Sequence, residues 1–267
     1  NTGIDENWMA SAVLGAGLAG SRSATYIPYQ GALMPLQVIQ NVAGKLRHMT
    51  GGKASMPVVW IIEMTGQSPG FAGQHSCYEE DTYYAHIPGV RTVIPSTPYD
   101  AKGMMVSALR SPDPVVYLYP AGLRGLTGEV PDEQYEVPLD KAAVRQEGSD
   151  LTIISSGAGM PGVLEAAATL TTEGMSVEVI DLRVLKEMDT ETLVNSVAKT
   201  KRLLTVDQSY YTLCPGAEVI ARVAENVDGA RYKRVAFPDA PPPASPEMFL
   251  WMRPNADHIM GAARALV

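Results

Sequence analysis

Cysteine is nearly absent: Cys77 and Cys214 are the only two in 267 residues. Two thiols cannot make the disulfide framework of a small secreted scaffold, and they suit a reducing compartment. No apolar run approaches the roughly 18 residues needed to cross a bilayer, so no membrane association is expected. Positive charge is in deficit, with 21 Lys and Arg against 29 Asp and Glu and a formal charge of −8. That balance argues against nucleic acid or an anionic membrane as partner. The four histidines have no second His or Cys at zinc-ligand spacing. P-loop and G-x-S-x-G motifs are missing, as is any sensibly spaced pair of catalytic carboxylates. The chain opens on Asn1 without a secretory leader, which suggests a processed or truncated version of something longer.

What remains is a chain with 46% hydrophobic residues, 24 Gly and 20 Pro, the composition of a globular protein with many turns. Apolar runs that read as strands alternate with amphipathic segments, which predicts parallel sheets flanked by helices. In the first half the strands are expected at 23–27, 56–62, 91–95 and 114–119, with helices at about 6–18, 33–48 and 98–110. Residues 121–149 are rich in Gly, Pro and charge and read as a linker. The alternation then restarts, with strands at 151–155, 176–181, 202–207 and 232–237. Helices are expected at 161–173, 189–199 and 215–226, and in a last segment reaching Val267. The expectation is two α/β domains, 1–120 and 150–267, joined by that linker.

"VLGAGLAG", residues 13–20, spells G-x-G-x-x-G with Gly15, Gly17 and Gly20. A dinucleotide-binding turn needs a strand before it, a helix after it and an acid about 20 residues on. Here helical spacing precedes the glycines, and no Asp or Glu follows until Glu63. Close helix packing is therefore the expected role. The acid-free stretch isolates Asp5 and Glu6 at its start. By position alone Glu6 is a first-turn acid that complements the helix dipole. His75 lies in "GFAGQHSCYEED", on a glycine-rich loop that follows a buried-looking strand, where parallel sheets place ligands. A Cys77–His75 catalytic pair is disfavoured, since such close neighbours on one loop seldom face each other productively. The residues by themselves supply no complete catalytic set.

Taken together, "IDENWMASAVLGAGLAG", "GGKASMPVVWI", "GFAGQHS", "HIPGVRTVIPSTPYDAKGMMVSALRSPDPVVYL" and "VEVIDLRVLKEMDTETLVNSVAKTKRLLTVDQ" resemble a known family. It is the beta subunit of thiamine-diphosphate-dependent 2-oxo acid dehydrogenases, the pyruvate, branched-chain and acetoin enzymes. The similarity runs from about Ile4 to Ala240 in the family's order. It implies a transketolase-like pyrimidine-binding domain followed by a transketolase C-terminal-like domain. The family's front portion, ahead of the glutamate, has no counterpart here.

Through the resemblance, Glu6 matches the glutamate that binds the aminopyrimidine of thiamine diphosphate, with Ile4 beside the ring and Tyr29 rather than Tyr26 packing against it. A carboxyl bonded to a ring nitrogen there lets the cofactor act as its own base. His75 matches the active-centre histidine, which handles protons and charge on the substrate or the incoming lipoyl group. "SALRSPDP" matches a potassium-binding turn, with the carbonyls of Ala108 and Leu109 and the side chain of Asp113 as ligands; Ser111 stands where an aspartate is usual. "YIPYQGALMPLQ" departs from the family's phenylalanine-rich pattern. The G-D-G motif that holds Mg²⁺ and the diphosphate is absent, and in this family it belongs to a separate alpha subunit. The resemblance thus implies an alpha2beta2 heterotetramer that passes acyl groups to a lipoyl acyltransferase, in the cytoplasm or a eukaryotic mitochondrial matrix. Two alternatives remain open: the carboxyl half of a split transketolase-type enzyme, and an assembly subunit that kept the fold without the cofactor.

Overall fold

The computed structural model describes residues 5–28, 33–64 and 80–267. It forms two compact units. The first holds the described residues up to Leu139 together with Val184–Glu187; the second holds Asp140–Arg183 and Met188–Val267. Ile4, Tyr29, His75 and Cys77 lie outside the described residues.

The first unit is a parallel sheet of order β1-β2-β4-β3, formed by β1 (Ser23–Ile27), β2 (Val58–Met64), β3 (Arg91–Val93) and β4 (Val115–Pro120). Sequence periodicity placed these strands to within two residues at their starts. β2 and β4 are buried almost throughout, which is why they read as continuous apolar runs rather than alternating ones. Two helices also agree with expectation: α1 (Glu6–Leu18) and α5 (Pro98–Arg110). Thr97 caps α5 by accepting from the Asp100 N–H, and Pro98 stands at the first helical position, where its missing donor is harmless.

The helix expected at 33–48 is broken differently. It begins as α2 (Leu36–Val38), widens to a π turn at Ile39–Ala43 and resumes as α3 (Gly44–Met49). Gly44 explains the close seating of that stretch, since a Cβ there would stand 2.6 Å from the Pro88 carbonyl oxygen. α4 (Glu80–Ala85) precedes β3. Beyond β4 the chain stays on this unit: Val137 and Leu139 are buried with Val59, Val93 and Met104, and Ser107 Oγ donates to the Val137 carbonyl at 2.7 Å. Val184 joins the same cluster, although it follows in the chain after strands of the second unit.

The second unit has sheet order β5-β7-β6-β8-β9, with β5 (Ala143–Gln146) antiparallel and the others parallel. The strands are β6 (Leu151–Ser155), β7 (Val177–Asp181), β8 (Arg202–Tyr210) and β9 (Arg231–Phe237). The helices are α6 (Met160–Thr172), α7 (Thr190–Thr200) and α8 (Pro215–Ala224). Its core joins Ile153 and Val179 of the sheet to Val163 and Ala167 of α6. The final helical segment is split into α9 (Pro246–Met252) and α10 (Ala256–Arg264). Pro254 lies at the break, and Asn255 restarts the helix by capping the His258 N–H at 3.0 Å.

Two of the three glycines of 15–20 have structural roles. Gly15 faces open space. Gly17 is buried, and a Cβ on it would lie 2.5 Å from Val58 Cγ2 and 2.8 Å from Met56 Sδ. Gly20 has φ +88°, and the Ser21 N–H bonds back to the Ala16 carbonyl at 2.9 Å, a glycine-terminated helix end. The motif therefore lies inside and at the end of a helix, not between strand and helix. Gly17→Val should destabilise the fold by about 1–3 kcal/mol through overpacking. Urea titration of both proteins checks this, and an unchanged midpoint would show that α1 can shift to make room.

Candidate active site

The height of α1 on the sheet decides where Glu6 sits. Gly17, near the helix end, meets Val58 at the start of β2, and the Trp60 ring N–H donates to the Ala10 carbonyl at 3.4 Å. The helix thus runs antiparallel to the strands, and its first turn lies toward their carboxyl ends. Asp5 is the N-cap, its carboxylate accepting from the Trp8 N–H at 2.9 Å. The neighbouring acid has already satisfied the helix end, so Glu6 is not needed for capping. Glu6 is half-buried, and among the described residues no side chain pairs with its carboxylate. The described chain stops at residue 28, one past β1, and at Met64, the last residue of β2.

A second carboxylate, which the sequence did not single out, closes this edge. Glu63 is 4% exposed near the end of β2. It accepts from the Tyr26 hydroxyl of β1 and from Arg124 Nη2, just past the 3-10 turn Ala121–Leu123 that follows β4. Arg124 also lies over the Tyr119 ring, 5.9 Å from its centroid. A charge buried on a strand is tolerated only when paired and hydrogen-bonded, and Glu63 has both kinds of partner. Beside it, Pro95, Ser96, Thr97, Ala101, Tyr119 and Arg124 line a cavity of about 150 Å³ at the carboxyl ends of β3 and β4. The sequence did carry a signal: Glu63 ends the acid-free stretch inside an otherwise apolar strand.

Ala108 and Leu109 lie in the last turn of α5, and Asp113 in the turn that follows it. The Ala108 carbonyl accepts from the Ser111 N–H at 3.2 Å. Arg22 Nη1 donates to the Leu109 carbonyl at 3.0 Å and the Ser111 carbonyl at 3.2 Å. Asp113 Oδ1 pairs with Arg47 Nε at 2.5 Å. No cluster of three His, Cys, Asp or Glu side chains suited to a metal ion occurs among the described residues. Cys214 stands at the start of α8, a place that ordinarily favours a thiolate. Burial wins here, and with the nearby Asp207 charge it pushes the thiol up to about 12.

These features fit a defined class. The transketolase pyrimidine-binding domain profile matches residues 1–125, and the transketolase C-terminal domain profile matches residues 140–259. A split-gene transketolase, solved as an inactive beta4 tetramer, superposes with a TM-score of 0.85 over 100% of this chain and 83% of that one; at 20% identity it shows the fold alone. The acetoin:2,6-dichlorophenolindophenol oxidoreductase subunit beta of Cupriavidus necator is 37% identical over 270 residues, covering 99% of this chain and 79% of that protein. The pyruvate dehydrogenase E1 component subunit beta of Bacillus subtilis is 36% identical over 278 residues, covering 100% of this chain and 83% of that protein. The chain belongs to the family of beta subunits of thiamine-diphosphate-dependent 2-oxo acid dehydrogenases.

Arg124→Ala leaves buried Glu63 with one partner fewer and should cost roughly 1–3 kcal/mol. Arg110→Ala breaks a pair in which both side chains are half exposed and should cost no more than about 1 kcal/mol. Chemical denaturation of the two variants checks that order. Cys214, protonated through the neutral range, should resist iodoacetamide at about pH 8 in the native protein and react once unfolded, read by mass spectrometry.

Proposed function

We propose that this chain is the beta half of an enzyme that decarboxylates a 2-oxo acid, or cleaves acetoin, and hands the acyl group to a lipoyl protein. The observation that carries the reading is Glu6: a half-buried carboxylate on the first turn of α1, at the carboxyl edge, released from capping by Asp5. Thiamine diphosphate fits such a group, because its aminopyrimidine needs one carboxyl partner and the phosphates need Mg²⁺ ligands from elsewhere. When bound, the cofactor would supply a carbon acid whose deprotonated form attacks a carbonyl, and a ring able to hold the electron pair that decarboxylation releases.

In this reading Glu6 would hold the cofactor by a hydrogen bond to its pyrimidine ring, and Ile4 and Tyr29 are the residues the resemblance assigns to packing against that ring. His75, by the family resemblance, would be the histidine that meets the substrate, where an imidazole can steady a carboxylate or donate a proton to the departing group. This chain lacks a G-D-G motif, so Mg²⁺ and diphosphate binding are assigned to an alpha subunit in an alpha2beta2 assembly. The domain division that goes with this is 1–120 for the pyrimidine side and 150–267 for the C-terminal-like side. Relatives at 36–37% identity favour this reading over a split transketolase, whose solved counterpart is 20% identical.

Glu6→Gln in the complex reconstituted with its alpha partner should lower turnover by about 10²-fold or more, with the melting temperature unchanged. His75→Ala should lower reductive acylation of lipoamide by about 10²-fold while thiamine diphosphate affinity stays within a few-fold. Near-normal turnover of Glu6→Gln would refute the assignment of the cofactor carboxylate. Calorimetry should find weak or no thiamine diphosphate binding to the beta chain alone.

A further inference from the structure

The end of α5 and the turn after it are where the family resemblance places a potassium ion, and the oxygen atoms there already accept hydrogen bonds. We propose that two arginine side chains, Arg22 and Arg47, do the work of that cation in this protein, so that its stability does not depend on potassium. The inference uses the resemblance only to locate the ion; it does not depend on the catalytic reading above.

Each expected ligand has a partner. The Leu109 carbonyl accepts from Arg22 Nη1 at 3.0 Å, and the same nitrogen reaches the Ser111 carbonyl at 3.2 Å. The Ala108 carbonyl accepts from the Ser111 N–H at 3.2 Å. The Asp113 carboxylate pairs with Arg47 at 2.5 Å. Ser111 closes the turn upon itself, its hydroxyl donating to the Asp113 carbonyl at 2.8 Å and accepting from the Asp113 N–H at 3.1 Å.

The physical logic is that of a helix carboxyl end. The last carbonyls of α5 have no intrahelical donors and carry the negative end of the dipole, so a cation is favoured there. A guanidinium meets that need well: it is permanently charged, weakly hydrated and offers several donors in a fixed plane. Arg22 comes from the turn between α1 and β1, and Arg47 from α3, so two separate segments deliver positive charge to one turn. A potassium ion among these oxygens would have to displace Arg22 from the Leu109 and Ser111 carbonyls and would meet its like charge. The Arg47–Asp113 pair is about half exposed on both sides and contributes little alone. Arg22, bonded to two carbonyls of a turn in which Ser111 is buried, is the principal substitute.

The test is thermal unfolding of the full chain in potassium chloride and in choline chloride at equal ionic strength. The parent protein should melt at the same temperature in both. Arg22→Ala should melt lower and acquire a saturable rise with potassium, while Arg22→Lys, which keeps the charge and one donor group, should fall between. A saturable potassium-dependent rise of about 3 °C or more in the parent would overturn the proposal. So would an Arg22→Ala protein that melts as the parent does. Should Arg22→Ala fail to fold, the salt comparison on the parent and on Arg22→Lys still decides the matter.

Discussion

A Cβ at Gly17 would fall 2.5 Å from Val58 Cγ2, and this missing atom sets how closely α1 lies on β2. The candidate site depends on that distance. With Gly17 against the start of β2 and Ala10 beside Trp60, a rigid helix of 13 residues brings its first turn to the carboxyl edge. Glu6 has no long-range hydrogen bond to position it among the described residues. Its place is inherited from backbone packing well down the helix.

The same edge shows how the fold manages charge. Asp5 spends its carboxylate on the helix end, which leaves Glu6 available. Glu63 is buried but answered by Tyr26 and Arg124. At the far end of α5, arginines answer the free carbonyls and Asp113. In each case a negative group is matched locally, and for buried Glu63 the low-dielectric surroundings demand it. Glu6 stands apart from this pattern, since among the described residues no side chain pairs with its carboxylate.

Much of the fold was legible in the chain. Runs such as "MPVVWII" and "LTIIS" are apolar because their strands are covered on both faces, and Thr97-Pro98 announces the start of α5. The interruptions were less visible. The π turn at Ile39–Ala43 runs directly into Gly44, which seats against Pro88, a residue far along the chain. The entry of Val184 into the first unit's core is likewise non-local, since its apolar neighbours read as ordinary strand flank.

By itself the sequence determined the α/β class, the alternation of elements and the isolation of Glu6 at the head of an acid-free stretch. It also determined the family, since ordered motifs along the whole chain cannot be matched by composition alone. Tertiary structure decided what no local pattern encodes. It gave Gly17 a packing role and not a phosphate, gathered Tyr26, Glu63 and Arg124 at one edge, and brought Arg22 and Arg47 to the turn after α5. Those outcomes depend on which atoms meet across many residues of chain, and periodicity reports only which face a residue turns inward.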